Sequence, residues 1–171
     1  MTMFKGRYRA EIDGDFVVFL IGARLNSPRQ VLASLRDLGG RRRGMQAMLV
    51  AAMADPEKGL LGYRMGVPTI VQYWRSFEHL EAFARDPGDL HRPTWLEWFR
   101  RAPNGRTGFW HESYLVRAGE YEAVYDSVPE AGLAVAGRVV SLAGTSSARI
   151  RLRREAVVPQ TAVKQAATPQ A

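Results

Sequence analysis

The hydrophobic pattern of the chain predicts four strands that form one sheet. Phe16–Leu25 (FVVFLIGARL) is dense in β-branched and aromatic residues and is predicted to be a buried strand. Gly59–Val67 and Thr69–Trp74 are predicted to be two strands joined by a short turn at Pro68. Gly108–Val116 (GFWHESYLV) is predicted to be the last strand of this sheet.

Two helical segments are predicted after the first strand, and two more after the third strand. The first predicted helix follows a cap at Ser27, and the second covers Arg41–Ala54, where apolar residues recur at helical spacing. After the third strand, Ser76 is predicted to cap the helix SFEHLEAFAR, and a further helix is predicted from about Pro93. The order is that of the ferredoxin-like β-α-β-β-α-β unit, an α+β fold.

A homodimer is predicted from the faces of this sheet. Helices cover one face of a ferredoxin-like sheet and leave the other face bare, whereas the first strand, Phe16–Leu25, is apolar on both faces. A bare apolar face must be covered, and a second copy of the same sheet is the simplest cover. We therefore expect a dimeric α/β barrel.

The charge of the chain is concentrated near its C-terminus. The net charge is +7, and residues 138–171 carry six basic residues and one acidic residue. We therefore predict a barrel domain over residues 1–137, with Tyr121–Tyr125 and Pro129–Gly137 wrapping it as an arm, and a flexible basic tail over residues 138–171. The tail has no interleaved aromatic residues, so we expect no specific binding of nucleic acid.

Several functional classes are excluded by residue types and spacings that the chain lacks. It has no cysteine, which excludes disulfides, iron–sulfur clusters and thiolate metal sites. The three histidines do not have metal-ligand spacing, so no metal site is predicted. No phosphate-binding glycine motif or G-x-S-x-G elbow occurs, which disfavours nucleotide-dependent chemistry and hydrolysis by a nucleophile elbow. The apolar run Phe16–Ala23 is too short to span a bilayer, and we expect a soluble, cytoplasmic protein.

Two of the three histidines are candidates for chemistry. His91 precedes the predicted tryptophan-rich helix, where an apolar setting favours the neutral imidazole, although a hydrogen bond at the helix start explains it as well. His111 and Glu112 lie in the last strand, and strand periodicity places them on opposite faces. Buried polar groups on both faces of that strand would indicate a cavity, whereas the alternative is a hydrogen-bonded strand histidine. His79 is interpreted as a half-exposed helical residue.

Aromatic residues are unusually dense around the second half of the sheet. An apolar pocket with a few polar groups suits a hydrophobic ligand, and close packing of the barrel core is the alternative. The residues predicted to line such a pocket are Trp74, Trp95, Trp98, Trp110, Tyr63, Tyr73 and Tyr114.

Several blocks of the sequence, in order, resemble one family. The blocks are DGDFVVFLIGARLN, YWRSFEHLEAFARDP, GFWHESYLV, AGEYEAVYDSVP and GLAVAG, within about Lys5–Gly137. They resemble the monooxygenase-like family of uncharacterised function in the dimeric α/β-barrel superfamily, near the antibiotic-biosynthesis monooxygenases. The resemblance implies a ferredoxin-like fold, a homodimer and an oxygenase acting on a hydrophobic small molecule such as a polyketide-like secondary metabolite.

The first functional hypothesis that follows is oxygenation of an electron-rich apolar substrate. His91 or His111 would abstract a proton, Glu112 belongs to the WHE signature with His111, and Arg75 would stabilise the developing anion. The residues that would exclude water are Trp74, Trp95 and Trp110.

Two alternatives remain open for the same fold. One is a haem protein with His91 or His111 as axial ligand, since the pattern Trp74, Ser76, His91 is similar to that of the haem-degrading branch of the superfamily. The other is a module that binds a hydrophobic metabolite without catalysis. The predicted cofactor is therefore either none or haem.

Overall fold

The computed structural model describes residues 5–26, 45–66, 68–86, 105, 107–142 and 148–152. The helix predicted after Ser27 and the helix predicted from Pro93 lie outside these residues, as do the candidate site residues His91, Trp95 and Trp98. Their predicted roles stay predictions.

A four-stranded antiparallel sheet, here called the main sheet, is the centre of the described structure. Its strands are β2 (Phe16–Leu25), β3 (Leu60–Arg64), β4 (Thr69–Trp74) and β5 (Thr107–Val116). Their order is β3-β4-β2-β5, with every neighbouring pair antiparallel. This is the strand arrangement of the ferredoxin-like unit, and the prediction of an α+β, ferredoxin-like fold is confirmed.

Helices α1 (Met45–Met53) and α2 (Phe77–Arg85) pack on one face of the main sheet. Helix α2 begins where the sequence predicts, because the Ser76 side chain accepts a hydrogen bond from the backbone N–H of His79. The core between helices and sheet is apolar, and its buried members are Val17, Met48, Leu49, Ala52, Leu60, Trp74, Leu80 and Phe83.

A second, three-stranded sheet packs on the opposite face. Its strands are β1 (Arg7–Glu11), β6 (Val124–Asp126) and β7 (Arg138–Ser141), in the order β6-β1-β7. A 3₁₀ helix at Gly132–Val135 lies in the same layer, and a short helix, α3 (Ala148–Leu152), ends the described chain. The buried residues of this second core are Tyr8, Ala10, Ile12, Phe16, Tyr73, Leu133 and Ala134.

Tyrosine side chains connect the second sheet to the rest of the chain. The rings of Tyr8 and Tyr125 stack with centroids 5.1 Å apart. The Tyr121 hydroxyl accepts a hydrogen bond from the backbone N–H of Ile12 over 2.6 Å and donates one to the carbonyl of Ile12 over 3.2 Å. The segment around Tyr121 therefore packs against the main domain, as an arm would.

The second sheet corrects two predictions. The segment that begins at Arg138 does not start a flexible tail: it is strand β7, it pairs with β1, and it buries Val140 and Leu142. The sheet face that was expected to be bare is covered, in large part, by β1, β6 and β7 of the same chain. The homodimer itself stays a prediction. A four-residue strand shows too few alternations to be predicted from its sequence, which explains why both the boundary and the covered face were missed.

In the described residues, no helix is long and apolar enough to cross a membrane.

Candidate functional site

The two faces of the main sheet carry different chemistry. Side chains that face α1 and α2 form what is here called the helix face, and those that face β1, β6 and β7 form the second-sheet face. The helix face comprises Val17, Phe19, Ile21 and Ala23 of β2, Tyr63 of β3, Ile70, Gln72 and Trp74 of β4, and Phe109, His111, Ser113 and Leu115 of β5.

His111 is the histidine of the helix face. Its ring centroid lies 5.6 Å from that of Phe19 and 6.3 Å from that of Phe109, so two phenyl rings flank the imidazole. The residue is exposed, and Ser113, two positions along the strand, is exposed on the same face. An open imidazole bordered by apolar rings can accept a proton from a hydrophobic ligand that stacks beside it.

Gln72 is a polar residue buried in the same face. It is 2% exposed, and its Oε1 accepts a hydrogen bond from Trp74 Nε1 over 3.0 Å. Its Nε2 lies 3.9 Å from the Sδ atom of Met45, a weak acceptor. Because Trp74 fixes the carbonyl end, the amide N–H groups of Gln72 point away from Trp74 and are poorly satisfied.

Three of the predicted pocket residues lie on the other face, namely Trp110, Tyr114 and Tyr73. Trp110, Glu112 and Tyr114 alternate with His111 along β5 and therefore face the second sheet, with Tyr73 of β4 on the same side. The Tyr114 hydroxyl donates to Glu112 Oε2 over 2.6 Å, and this bond raises the pKa of Tyr114 because it favours the neutral phenol. The prediction that His111 and Glu112 face opposite ways is confirmed.

Tyr73 and Tyr63 lie on opposite faces of the main sheet. Tyr73 is 7% exposed, and burial raises the pKa of its phenol to about 12. It packs in the second core, beside Tyr125, rather than among helix-face residues. Tyr63, in contrast, pairs with Gln72 on the helix face. Arg75 follows the last residue of β4 and is exposed.

His79 has a structural role at the start of α2. Its Nδ1 lies 2.9 Å from the Ser76 hydroxyl, and its ring lies against Gly59, where no side chain would fit and the backbone has a φ of 72°. The Ser76 hydroxyl also binds the Glu78 carboxylate and lowers the pKa of that group. The interpretation of His79 as a half-exposed helical residue is confirmed.

The strand that carries His111 lies at the edge of the main sheet, so its polar residues do not indicate a cavity. Polar groups on both faces of a buried strand would indicate a cavity, but within the described residues β5 has a neighbour, β2, on one side only. Residues 110–115 are all exposed. Their polar groups therefore avoid the desolvation that burial would impose, and the site is an open surface at the edge of the helix face.

Gln72 and Phe19 were not among the predicted site residues. A glutamine inside the apolar strand TIVQYW is a signal that could have pointed to the first, because a buried amide needs partners. Phe19 belongs to a uniformly apolar strand and offers no such signal. In the described residues, no group of three His, Asp or Glu side chains could hold a metal ion.

Comparison with known proteins identifies a family whose model matches most of this chain. The model of a family described as "Monooxygenase af470-like" matches residues 16–133. The chain is 30% identical over 122 residues to "Monooxygenase af470" of Aspergillus fumigatus, a match that covers 66% of this chain and 42% of that protein.

A solved structure resembles the chain at the level of the fold. It is an aldoxime dehydratase in complex with butyraldoxime, with a TM-score of 0.50 and 18% sequence identity over 80% of this chain and 38% of that chain. The chain therefore spans less than half the length of either of these proteins.

Proposed function

Because the chain belongs to the monooxygenase af470-like family, we propose that it is a monooxygenase that oxidises a hydrophobic, electron-rich small molecule. A polyketide-type phenol is the substrate class with the required chemistry, since its acidic C–H or O–H group gives an electron-rich anion. The observation that supports this proposal most is the open imidazole of His111 between Phe19 and Phe109, on a predominantly apolar face.

The reaction needs a base and a donor for the developing anion. His111 takes a proton from an activated methylene carbon of the substrate, and the carbanion passes an electron to O₂. Recombination forms a C–O bond, and the hydroperoxide loses water as its O–O bond breaks. One oxygen atom stays as a carbonyl and the other leaves as water, so the substrate itself supplies all the electrons.

Arg75 stays the proposed donor for the substrate oxygen. It is an exposed residue that follows the last residue of β4, and its guanidinium carries the positive charge that stabilises a developing anion. Gln72, in contrast, is 2% exposed and lies against Met45 of α1, so its amide N–H groups are out of reach of a substrate at the open edge.

A haem protein of the same fold is the second candidate. In the described residues the ring nitrogens of His111 make no hydrogen bond, so the imidazole is available as an axial ligand, and the flanking phenyl rings suit the apolar porphyrin. His111 would hold the iron, and bound haem would supply oxygen chemistry. A Soret band on hemin titration that His111→Ala abolishes and His79→Ala leaves intact supports this candidate. A wild-type titration without a Soret band refutes it.

We also propose a homodimer, in the cytoplasm. Strand β5 is an edge strand, and the exposed fractions of its apolar side chains are high: 39% for Trp110, 51% for Tyr114 and 72% for Leu115. A second copy that pairs along this edge would cover them. Light scattering on the full chain measures the mass, and a monomeric mass over the micromolar range refutes the dimer.

Oxygen consumption with dithranol, a dihydroxyanthrone with an activated methylene, tests the oxygenase directly. We expect the wild type to form the anthraquinone and to consume one O₂ per dithranol above the uncatalysed background. His111→Ala should abolish this turnover, and the control His79→Ala should retain it after correction for folded fraction. Full activity of His111→Ala refutes the proposed base. Tight dithranol binding without O₂ uptake indicates a binding module instead.

A further inference from the structure

Gly22 and Trp110 form a direct contact across strands β2 and β5. The two residues are paired in the register of these strands. A Cβ atom at position 22 would lie 2.6 Å from both Cζ2 and Nε1 of Trp110, which is closer than atoms can approach. The indole therefore lies directly on the backbone of Gly22. The backbone of Gly22 does not need the left-handed region, so glycine is required here by the indole and not by φ.

Trp110 belongs to neither of the two cores. It is 39% exposed and lies on the second-sheet face, outside the cluster that β1, β6 and β7 bury. One side of the indole contacts β2, and the remainder faces solvent. Such a ring can hold two strands together without contributing to the helix face, where His111 lies.

His111 depends on this contact because of its place in the strand. It follows Trp110 directly, and β5 is an edge strand whose residues 110–115 are exposed. An edge strand has hydrogen bonds from one neighbour only, so cross-strand side-chain contacts add to the hold that the ten paired positions with β2 provide. The Trp110–Gly22 contact is the one next to His111.

We propose that Trp110 is a positioning residue for His111: its indole, seated on Gly22, fixes β5 against β2 so that the imidazole stays between Phe19 and Phe109. The inference rests on the proposed function of His111 as base. It also changes the role of Trp110 from lining a pocket to holding the strand from the opposite face.

A double-mutant cycle tests the contact. The four proteins are wild type, Gly22→Ala, Trp110→Ala and the double variant, and the readouts are the imidazole Cε1–H signal of His111 in an NMR pH titration and the kinetics with dithranol. We expect Gly22→Ala and Trp110→Ala to move the His111 signal in the same direction. The double variant should match Trp110→Ala instead of summing both effects, because the alanine then has no indole to displace.

Kinetics separate positioning from a loss of folded protein. For Trp110→Ala we expect kcat to fall about ten- to a hundredfold with KM little changed, since displacement of a catalytic group by about 1 Å has effects of this size. Trp110→Phe, which retains an aromatic ring, should recover most of kcat. Leu20→Ala is the matched control: it truncates a side chain on the same face of β2, at the next pair on that face, but leaves the Trp110–Gly22 contact in place.

Two results overturn the proposal. One is a Trp110→Ala protein with the wild-type His111 signal and kcat, and the other is strictly additive shifts in the cycle. Failure of the proposed function is distinct from both: His111→Ala would then remain active, while Trp110→Ala would still move the His111 signal.

Discussion

The buried hydrogen bond between Trp74 and Gln72 allows a prediction whose size follows from the structure. Trp74 Nε1 donates to Gln72 Oε1 over 3.0 Å, and the two residues are 0% and 2% exposed. Gln72→Leu keeps an apolar side chain of similar size but leaves the indole N–H without an acceptor where water does not reach. An orphaned buried donor destabilises by about 1–3 kcal/mol, and we expect a loss of this size.

The double variant Gln72→Leu/Trp74→Phe distinguishes this cause from general disturbance of the core. Trp74→Phe alone orphans the Gln72 carbonyl and removes ring volume beside Phe83, whose centroid lies 5.0 Å from that of Trp74. With both partners apolar, neither orphan remains. The double variant should therefore be more stable than the sum of the single losses predicts, by about 1–2 kcal/mol.

Urea denaturation at neutral pH measures these losses. With a slope of about 2 kcal/mol per molar urea, Gln72→Leu should lower the midpoint by roughly 0.5–1.5 M. Tyr63→Phe is the control, since Tyr63 pairs with Gln72 on the same face but does not take part in the bond, and it should stay within about 0.5 kcal/mol of wild type. Additive losses in the double variant would refute the assignment of the bond.

Three further predictions concern the second core. Burial raises the pKa of Tyr73 to about 12, whereas an unfolded tyrosine ionises near 10. The unfolded state therefore loses the Tyr73 proton first, and this group should lower stability by about 1–2 kcal/mol as pH rises from about 10 to 12. Tyr73→Phe should remove this part of the loss in urea titrations at each pH, whereas the part due to Tyr125, whose pKa burial also raises, should remain. Tyr121→Phe keeps the ring but leaves the N–H of Ile12, a residue 4% exposed, without its 2.6 Å partner, so the free energy of unfolding should fall by about 1–3 kcal/mol in the same assay. A chain that ends at Gly137 lacks β7 and should unfold several degrees below one that ends at Leu152 in a thermal melt; equal melting temperatures would contradict the role of β7.

The elements of the main sheet could be predicted because each carries a strong local signal. Strand β4 has the predicted bounds, since Pro68 precedes it and a dense apolar run defines it. Helix α2 begins after Ser76 as predicted, because serine accepts a bond from a free N–H group of the first turn. In both places a short-range interaction determines the boundary, and a sequence displays such interactions directly.

The second sheet could not be predicted because its interactions are not local. Strands β6 and β7 have three and four residues, and both pair with β1, more than a hundred residues earlier in the chain. The segment around Arg9 reads as polar, since charged side chains occupy the outer face of β1. Only the pairing in space shows that Tyr8 and Ala10, between those charges, form the inner face.

Only those features of the candidate site that follow from local strand geometry could be predicted from the sequence. Strand periodicity gave the opposite directions of His111 and Glu112, because alternation is a property of any regular strand. It does not tell an edge strand from a central one, and that distinction decides whether the polar groups are buried. Trp110 was assigned to a pocket for its residue type, although its contact with Gly22 lies on the opposite face from His111.

The position of the candidate site follows from the way the two cores are closed. Helices α1 and α2 bury one face of the main sheet and the chain's own second sheet buries much of the other, so a polar side chain in the centre needs a partner, as Gln72 has in Trp74. Among the residues that the structure describes, only β5 has six consecutive exposed residues beside a neighbouring strand that presents an apolar ring, that of Phe19. An imidazole there keeps its access to substrate and to protons, and Phe19 still provides a hydrophobic surface beside it. A base that must contact an apolar substrate, and yet stay hydrated when no substrate is bound, is therefore well placed at this edge. Because His111 occupies the helix face of β5, contacts on the second-sheet face must hold that strand in position.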